Sequence, residues 1–335
     1  MRSIPLLLAL LVTGPAFAGE PKRDRFGDSL PDGAVARLGT INAHPGVRSI
    51  AFSADGKTLH TAGTSSVREW DMTTGRVKRI ASIPHTARHP VDAERRPERI
   101  SEDGRVGIRI VGKQIEVVEL QPFKVRHRAP TNDDCVRALS PDGRWAILTC
   151  EHPGYANFEV RILNLESGKS EKWNDFTGDP NRFVFSPDNK LVATSLRSKV
   201  GGIQCRHLVN GRLRTFGSNL LTPLAFSADS KRIVVARNEN TTLEVWDVER
   251  GEPVNRSKIE VGAQYYDSVA ATLNADGSIL ASCRNNRIVV WDVATGKKIG
   301  SWAGSASCMA FSPDGKRLAG SNQLVQMWNI ATGKP

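Results

Sequence analysis

Short apolar runs of strand length, each bounded by polar turn residues, fill residues 34–335. The first pair is Val47-Arg48-Ser49-Ile50-Ala51-Phe52 and Lys57-Thr58-Leu59-His60-Thr61-Ala62, separated by Ser53-Ala54-Asp55-Gly56. Runs of this length and composition between turn signals predict β-strands. The turn has a mechanism. Proline, where it follows the serine, presets φ; aspartate follows; glycine takes the left-handed position that closes a hairpin.

The same turn returns at Ser101-Glu102-Asp103-Gly104, Ser140-Pro141-Asp142-Gly143, Ser186-Pro187-Asp188-Asn189, Ser227-Ala228-Asp229-Ser230, Asn274-Ala275-Asp276-Gly277 and Ser312-Pro313-Asp314-Gly315. Its aspartates step by 48, 39, 46, 41, 47 and 38 residues. A period near forty means one supersecondary unit used seven times. A third run in each unit ends in a second signature: Val67-Arg68-Glu69-Trp70-Asp71, Leu243-Glu244-Val245-Trp246-Asp247, Ile288-Val289-Val290-Trp291-Asp292 and Val325-Gln326-Met327-Trp328-Asn329. Copies at Val160–Asn164 and Ile203–His207 lack the tryptophan, and Ile115–Glu119 is the most eroded. A glycine usually follows four residues past the Asp-like position, as at Gly75, Gly168, Gly211, Gly251 and Gly296. The predicted unit is strand a, tight turn, strand b, looser turn, strand c, glycine turn, strand d.

These residues resemble the WD40-repeat family across nearly all of 34–335. Four of the seven units keep the tryptophan and three keep the Trp-Asp pair. The resemblance implies an all-β fold, a seven-bladed β-propeller. Little sequence follows Asn329, so Ala34-Val35-Ala36-Arg37-Leu38-Gly39 is expected to supply the outer strand of the last blade and so remove open sheet edges. The family's buried network joins a histidine, a Ser/Thr on strand b and the strand-c tryptophan, with an aspartate in the b–c turn. His44, Thr61 and Trp70 match three of these, but the b–c turn Gly63-Thr64-Ser65-Ser66 has no aspartate and neither do the other six. Shape packing is therefore expected to carry more of the stability. Trp70, Trp246, Trp291 and Trp328, with Asp71, Asp247 and Asp292, read as structural. So do Asp55, Gly56, Asp142, Gly143, Asp188, Asp229, Asp276, Gly277, Asp314 and Gly315, because the turn explains them without catalysis. Ser230 stands where other copies carry glycine, so a left-handed conformation there predicts strain.

Residues 1–18 read as a signal peptide: Arg2, an apolar run Ile4 to Val12, and Ala16-Phe17-Ala18 before Gly19. Export, to the periplasm or outside the cell, is the expectation, with 19–33 a polar lead-in and no transmembrane span after cleavage. None of Cys135, Cys150, Cys205, Cys283 and Cys308 forms CxxC, which leaves thioredoxin-like chemistry without support. Cys135 begins strand a and Cys150 ends strand b of the third unit, so the a–b hairpin brings them near each other. A one-residue register shift decides whether they could pair, and buried free thiols are the preferred reading.

The formal charge is +11. Residues 76–128 carry thirteen Lys/Arg against seven Asp/Glu, and 197–214 carry five against none. Such bias bears on anionic partners and surfaces. In a propeller of the kind the resemblance implies, the longest d–a connection, about 83–97, would share a face with the b–c loops 151–155 and 197–202. Loops on a rigid scaffold commonly carry binding. Arg88, Arg95, Arg96, Tyr155, Arg197 and Lys199 are therefore the candidate binding residues, on blades 2–4, against the plainer reading of a solvated basic surface. His85, His89 and Asp92 are closely spaced, but Pro84 and Pro90 break a helix there and no HExxH is present, so no metal is expected.

GxSxG, P-loop and dinucleotide fingerprints are missing from the sequence, and no cofactor or catalytic residue is nominated. Resemblance to exported bacterial WD40 proteins implies a non-enzymatic scaffold with a protein partner. Two alternatives stand beside it. One is a module for acidic polysaccharide or an anionic surface; the other is a propeller enzyme with a site in the central channel. Aromatics are 6% of the chain and do not interleave with the basic segments, which disfavours nucleic-acid stacking platforms.

Overall fold

A computed structural model describes residues 34–38, 47–63, 66–82, 99–101, 105–111, 113–120, 123–131, 134–151, 158–174, 176–179, 182–196, 201–218, 221–237, 241–254, 259–261, 270–322 and 325–330. The expected leader and lead-in lie outside the described residues, as does His44. Among the described residues every regular element is a strand, and none is a helix long and apolar enough to cross a membrane.

The strands form seven antiparallel sheets in chain order. Blade 1 is Val47–Phe52, Thr58–Gly63, Ser66–Asp71 and Val77–Ser82, strands a to d. Blades 2, 3 and 4 begin with a strands Arg99–Ile100, Asp134–Leu139 and Val184–Phe185. Blades 5, 6 and 7 begin with Leu221–Phe226, Ala270–Leu273 and Cys308–Phe311. In blade 5 the outer strand is split, with Glu252–Pro253 and Ile259–Glu260 both pairing with Thr242–Asp247. Blade 7 is completed by Ala34–Leu38, which pairs antiparallel with Val325–Asn329 and puts Ala34 opposite Trp328 and Leu38 opposite Val325. The propeller is thus closed by the chain's own N-terminal strand, as the repeat count implied.

The a–b turns hold the hairpins in one geometry. Ser53 N–H donates to the Thr58 carbonyl (2.9 Å) and Gly56 N–H to the Ser53 carbonyl (2.8 Å). The Ser53 hydroxyl donates to Asp55 Oδ1 (2.6 Å), which also accepts from Lys57 N–H (3.0 Å). The left-handed position is glycine in four of the described copies, Asn189 (φ 59°) in blade 4 and Ser230 (φ 61°) in blade 5. The c–d turns work alike: Asp71 Oδ1 accepts from Thr73 and Thr74 N–H at 2.8 and 2.9 Å, ahead of Gly75 at φ 64°.

Apolar side chains alternate to both faces of each sheet, so the core is a set of seams between blades. Seven clusters result, one at each junction around the ring. The seam between blades 1 and 2 is the thinnest, with Ala62, Val67 and Val118 as its buried members.

At that seam shape packing is joined by a largely buried ion pair. Glu116 shares a sheet face with Val118 and accepts from Arg109 Nε (2.8 Å) and Arg128 Nε (2.9 Å). In blade 5, Arg237 and Glu244 pair at 2.7 Å, and Glu244 also accepts from the Trp246 indole (3.1 Å). Where the family pattern survives, it forms as expected: Trp70 Nε1 donates to Thr61 Oγ1 (2.9 Å) and Trp291 Nε1 to Ser282 Oγ (3.1 Å).

The thiols are free, as expected, but not all are buried. Cys135 is exposed, while Cys150, Cys205 and Cys283 are buried and Cys308 is half-buried. Asp134 faces Cys150 and Cys135 faces Thr149, a one-residue offset that sends the two sulfurs to opposite sides of the sheet.

Candidate binding channel

The a strands of successive blades contact one another from blade 2 through blade 7 and on to blade 1, and they enclose a central channel of about 860 Å³. Three arginines from three consecutive blades line it: Arg99, Arg137 and Arg182. No Asp or Glu accompanies them among the described lining residues. Arg137 Nε donates to the buried hydroxyl of Thr149 (2.7 Å), which fixes its guanidinium from behind. Arg182 is anchored through its main chain, N–H to the Asp179 carbonyl at 3.4 Å, and its guanidinium has no partner among the described residues. The opposite wall, from blades 5, 6, 7 and 1, is apolar or small, with Leu224, Ala271, Met309, Phe311 and Ala51.

The arginine arc is chemically suited to holding anions. Arginine stays protonated at all working pH values and presents a planar donor fork to oxyanions; it does not shuttle protons near neutrality. Cys308 also lines the channel, but burial pushes its thiol up to about 11, so it remains a thiol and a poor nucleophile. Cys205, away from the channel, is pushed up to about 12 by burial. Asp55, Asp71 and Asp314 go the other way. Asp55 and Asp314 are held below the ordinary carboxylate range by a serine hydroxyl first and then by the lysine N–H two residues on. In Asp71 the backbone N–H groups of Thr74 and Thr73 do the same. These carboxylates face their own turns, where their acceptor capacity is spent. Among the described residues no group of three His, Cys, Asp or Glu is placed to hold a metal.

Arg88, Arg95, Arg96, Tyr155, Arg197 and Lys199, the binding residues expected from sequence, all lie outside the described residues, as do His85, His89 and Asp92. Sequence reasoning passed over the channel arginines. A signal was present: aligned on their turn serines, Arg99, Arg137 and Arg182 stand two, three and four residues before Ser101, Ser140 and Ser186.

Seven four-stranded blades in a closed ring define a β-propeller. Residues 36–71 and 296–329 match the family model "WD domain, G-beta repeat", so the seven-bladed propeller carries WD40 repeats at these two positions. No curated protein matches the sequence. Among solved structures, a chain titled Kuenenia stuttgartiensis hydrazine synthase is 17% identical with a TM-score of 0.56, over 87% of this chain and 99% of that one. With 1281 solved chains matching, likeness of this degree speaks for the fold and leaves function to the site.

Proposed function

We propose that this chain is an exported, non-enzymatic protein-binding scaffold that engages an acidic partner on the loop face of blades 2–4. The observation that carries the reading is that the channel arginines come from those same three blades. Arg99 directly follows the connection bearing Arg88, Arg95 and Arg96, and Arg182 sits at the d–a end of its strand, beside the mouth. A cationic sector on a rigid ring steers an acidic partner and fixes its orientation. The WD40 fold supports an interaction role of this kind. Export rests on Arg2, the apolar run to Val12 and Ala16-Phe17-Ala18.

The test is affinity capture from a cell-envelope fraction, with residues 19–335 as bait beside a variant carrying Arg95→Glu, Arg96→Glu, Arg197→Glu and Lys199→Glu. A discrete protein held by the parent and lost by the variant supports the reading. The excess of cations favours a second reading, polyanion binding. Capture of acidic polymer alone, released by salt, would establish that reading and remove the scaffold.

A further inference from the structure

We propose that the central channel is a binding site for a small amphiphilic oxyanion, a carboxylate or phosphate carried on an apolar stem. This goes beyond the scaffold reading and does not depend on it. The volume of about 860 Å³ falls in the range of small-molecule sites, which are largely apolar with a few placed polar groups. Here the polar groups are Arg99, Arg137 and Arg182 on one arc, and Leu224, Met309 and Phe311 supply apolar wall across from them. At about 3.3 Å per strand residue, the stagger of the three arginines before their turns spreads them over about 7 Å of the channel's length. Their long side chains therefore serve one stretch of wall. Like charges gathered with no carboxylate among the described lining residues create a positive potential that an anion relieves, and apolar walls focus it. The hydroxyl of Thr149 orients the Arg137 fork in advance, as bidentate recognition of an oxyanion requires. A ligand bearing only charge would leave the apolar arc unused, and one without charge would leave the cationic arc unused.

The experiment is calorimetric titration of the purified chain, at low ionic strength, with octanoate, octyl phosphate and octanol. One anion or both should bind at one site per chain, with octanol at least tenfold weaker, and the tighter anion identifies the head group. Arg182→Gln should weaken that anion about tenfold with an unchanged thermal midpoint, since its guanidinium has no partner among the described residues. Arg99→Gln is the second variant, against the chance that one substitution is compensated. Equal binding of octanol, no binding of either anion, or parent-like affinity in both arginine variants would overturn the proposal. None of these outcomes bears on capture of a protein by Arg95, Arg96, Arg197 and Lys199.

Discussion

The hydroxyl oxygen of Ser230 accepts a hydrogen bond from the backbone N–H of Asp188, 3.0 Å away across forty-two residues of sequence. The left-handed residue of one a–b turn thereby ties blade 5 to blade 4. Asn189 does the same for blades 4 and 3, its Oδ1 accepting from Asp142 N–H at 3.2 Å. Read from sequence, Ser230 is a strained residue that glycine would relieve by about 1 kcal/mol. In the structure glycine also forfeits a hydrogen bond worth about 0.5–1.5 kcal/mol. Ser230→Gly should therefore leave stability nearly unchanged. Ser230→Ala, which keeps the strain and loses the bond, should lower it by about 1 kcal/mol. Urea midpoints of the two variants check this; a full stabilisation by glycine would mean the inter-blade bond contributes nothing.

Thr61 offers a second, sharper test. Both it and Trp70 are almost fully buried, and the threonine hydroxyl accepts the indole N–H at 2.9 Å. Thr61→Val preserves shape and strands that donor, which should cost about 1–3 kcal/mol. Thr61→Ser should retain most of the stability. The indole proton of Trp70 should also exchange faster with solvent in the valine variant, which separates a lost bond from altered packing.

The blade count, the turns and the closing strand were legible because each rests on local chemistry repeated seven times: a serine–aspartate–glycine turn reads the same in any context. What brings different blades together was not legible. Arg99, Arg137 and Arg182 line one channel only once the ring closes. The Arg109–Glu116 pair sits seven residues apart across a hairpin, and a register shift of one residue would separate it. Even a sound family pattern misleads at one position. Gly320 occupies the place of Thr61 and Ser282, where a hydroxyl would complete the family pattern for the indole of Trp328. A Cβ at Gly320 would stand 3.0 Å from Ala306 Cβ and 3.2 Å from the Trp328 ring. The seam between blades 6 and 7 has traded the acceptor for close packing.

Glu116 should give the thin seam between blades 1 and 2 a measurable acid sensitivity. Burial opposes its ionisation, but hydrogen bonds from Arg109 and Arg128 and their charges outweigh burial, so its pKa lies below the ordinary value of 4.5. A folded pKa below the unfolded one means that the stabilisation is complete above the ordinary value and is lost as pH falls through the folded one. Arg109 is 13% exposed and Glu116 8%, so Glu116→Gln removes a nearly buried carboxylate to which both Arg109 and Arg128 donate. The expected loss near neutral pH is about 3 kcal/mol. Denaturant midpoints of parent and variant should converge as pH falls below 4.5, since protonation does to the parent what the substitution does to the variant. A gap that stays constant into acid would show that Glu116 acts through packing alone.

Ring closure depends on a strand far from its partner in sequence, and that makes it the place to attack the fold as a whole. Ala34–Leu38 is the outer strand of blade 7, bonded along Val325–Asn329. Without it, strand c of that blade becomes an edge, with its outward N–H and C=O groups unpaired. Each backbone hydrogen bond forgone is worth about 1 kcal/mol, and they are lost together. The closure also joins the chain's beginning to its last blade, so removing it lets blade 7 separate from the ring independently of the others. Deleting residues 34–38 should lower the thermal midpoint sharply, with blades 6 and 7 exchanging amide hydrogens ahead of blades 3 and 4. Exposed edges also promote self-association, so the deletion should aggregate at concentrations where the parent stays monodisperse by light scattering. An unchanged midpoint, with protection still uniform around the ring, would mean that the propeller holds together on six closed blades and a partial seventh.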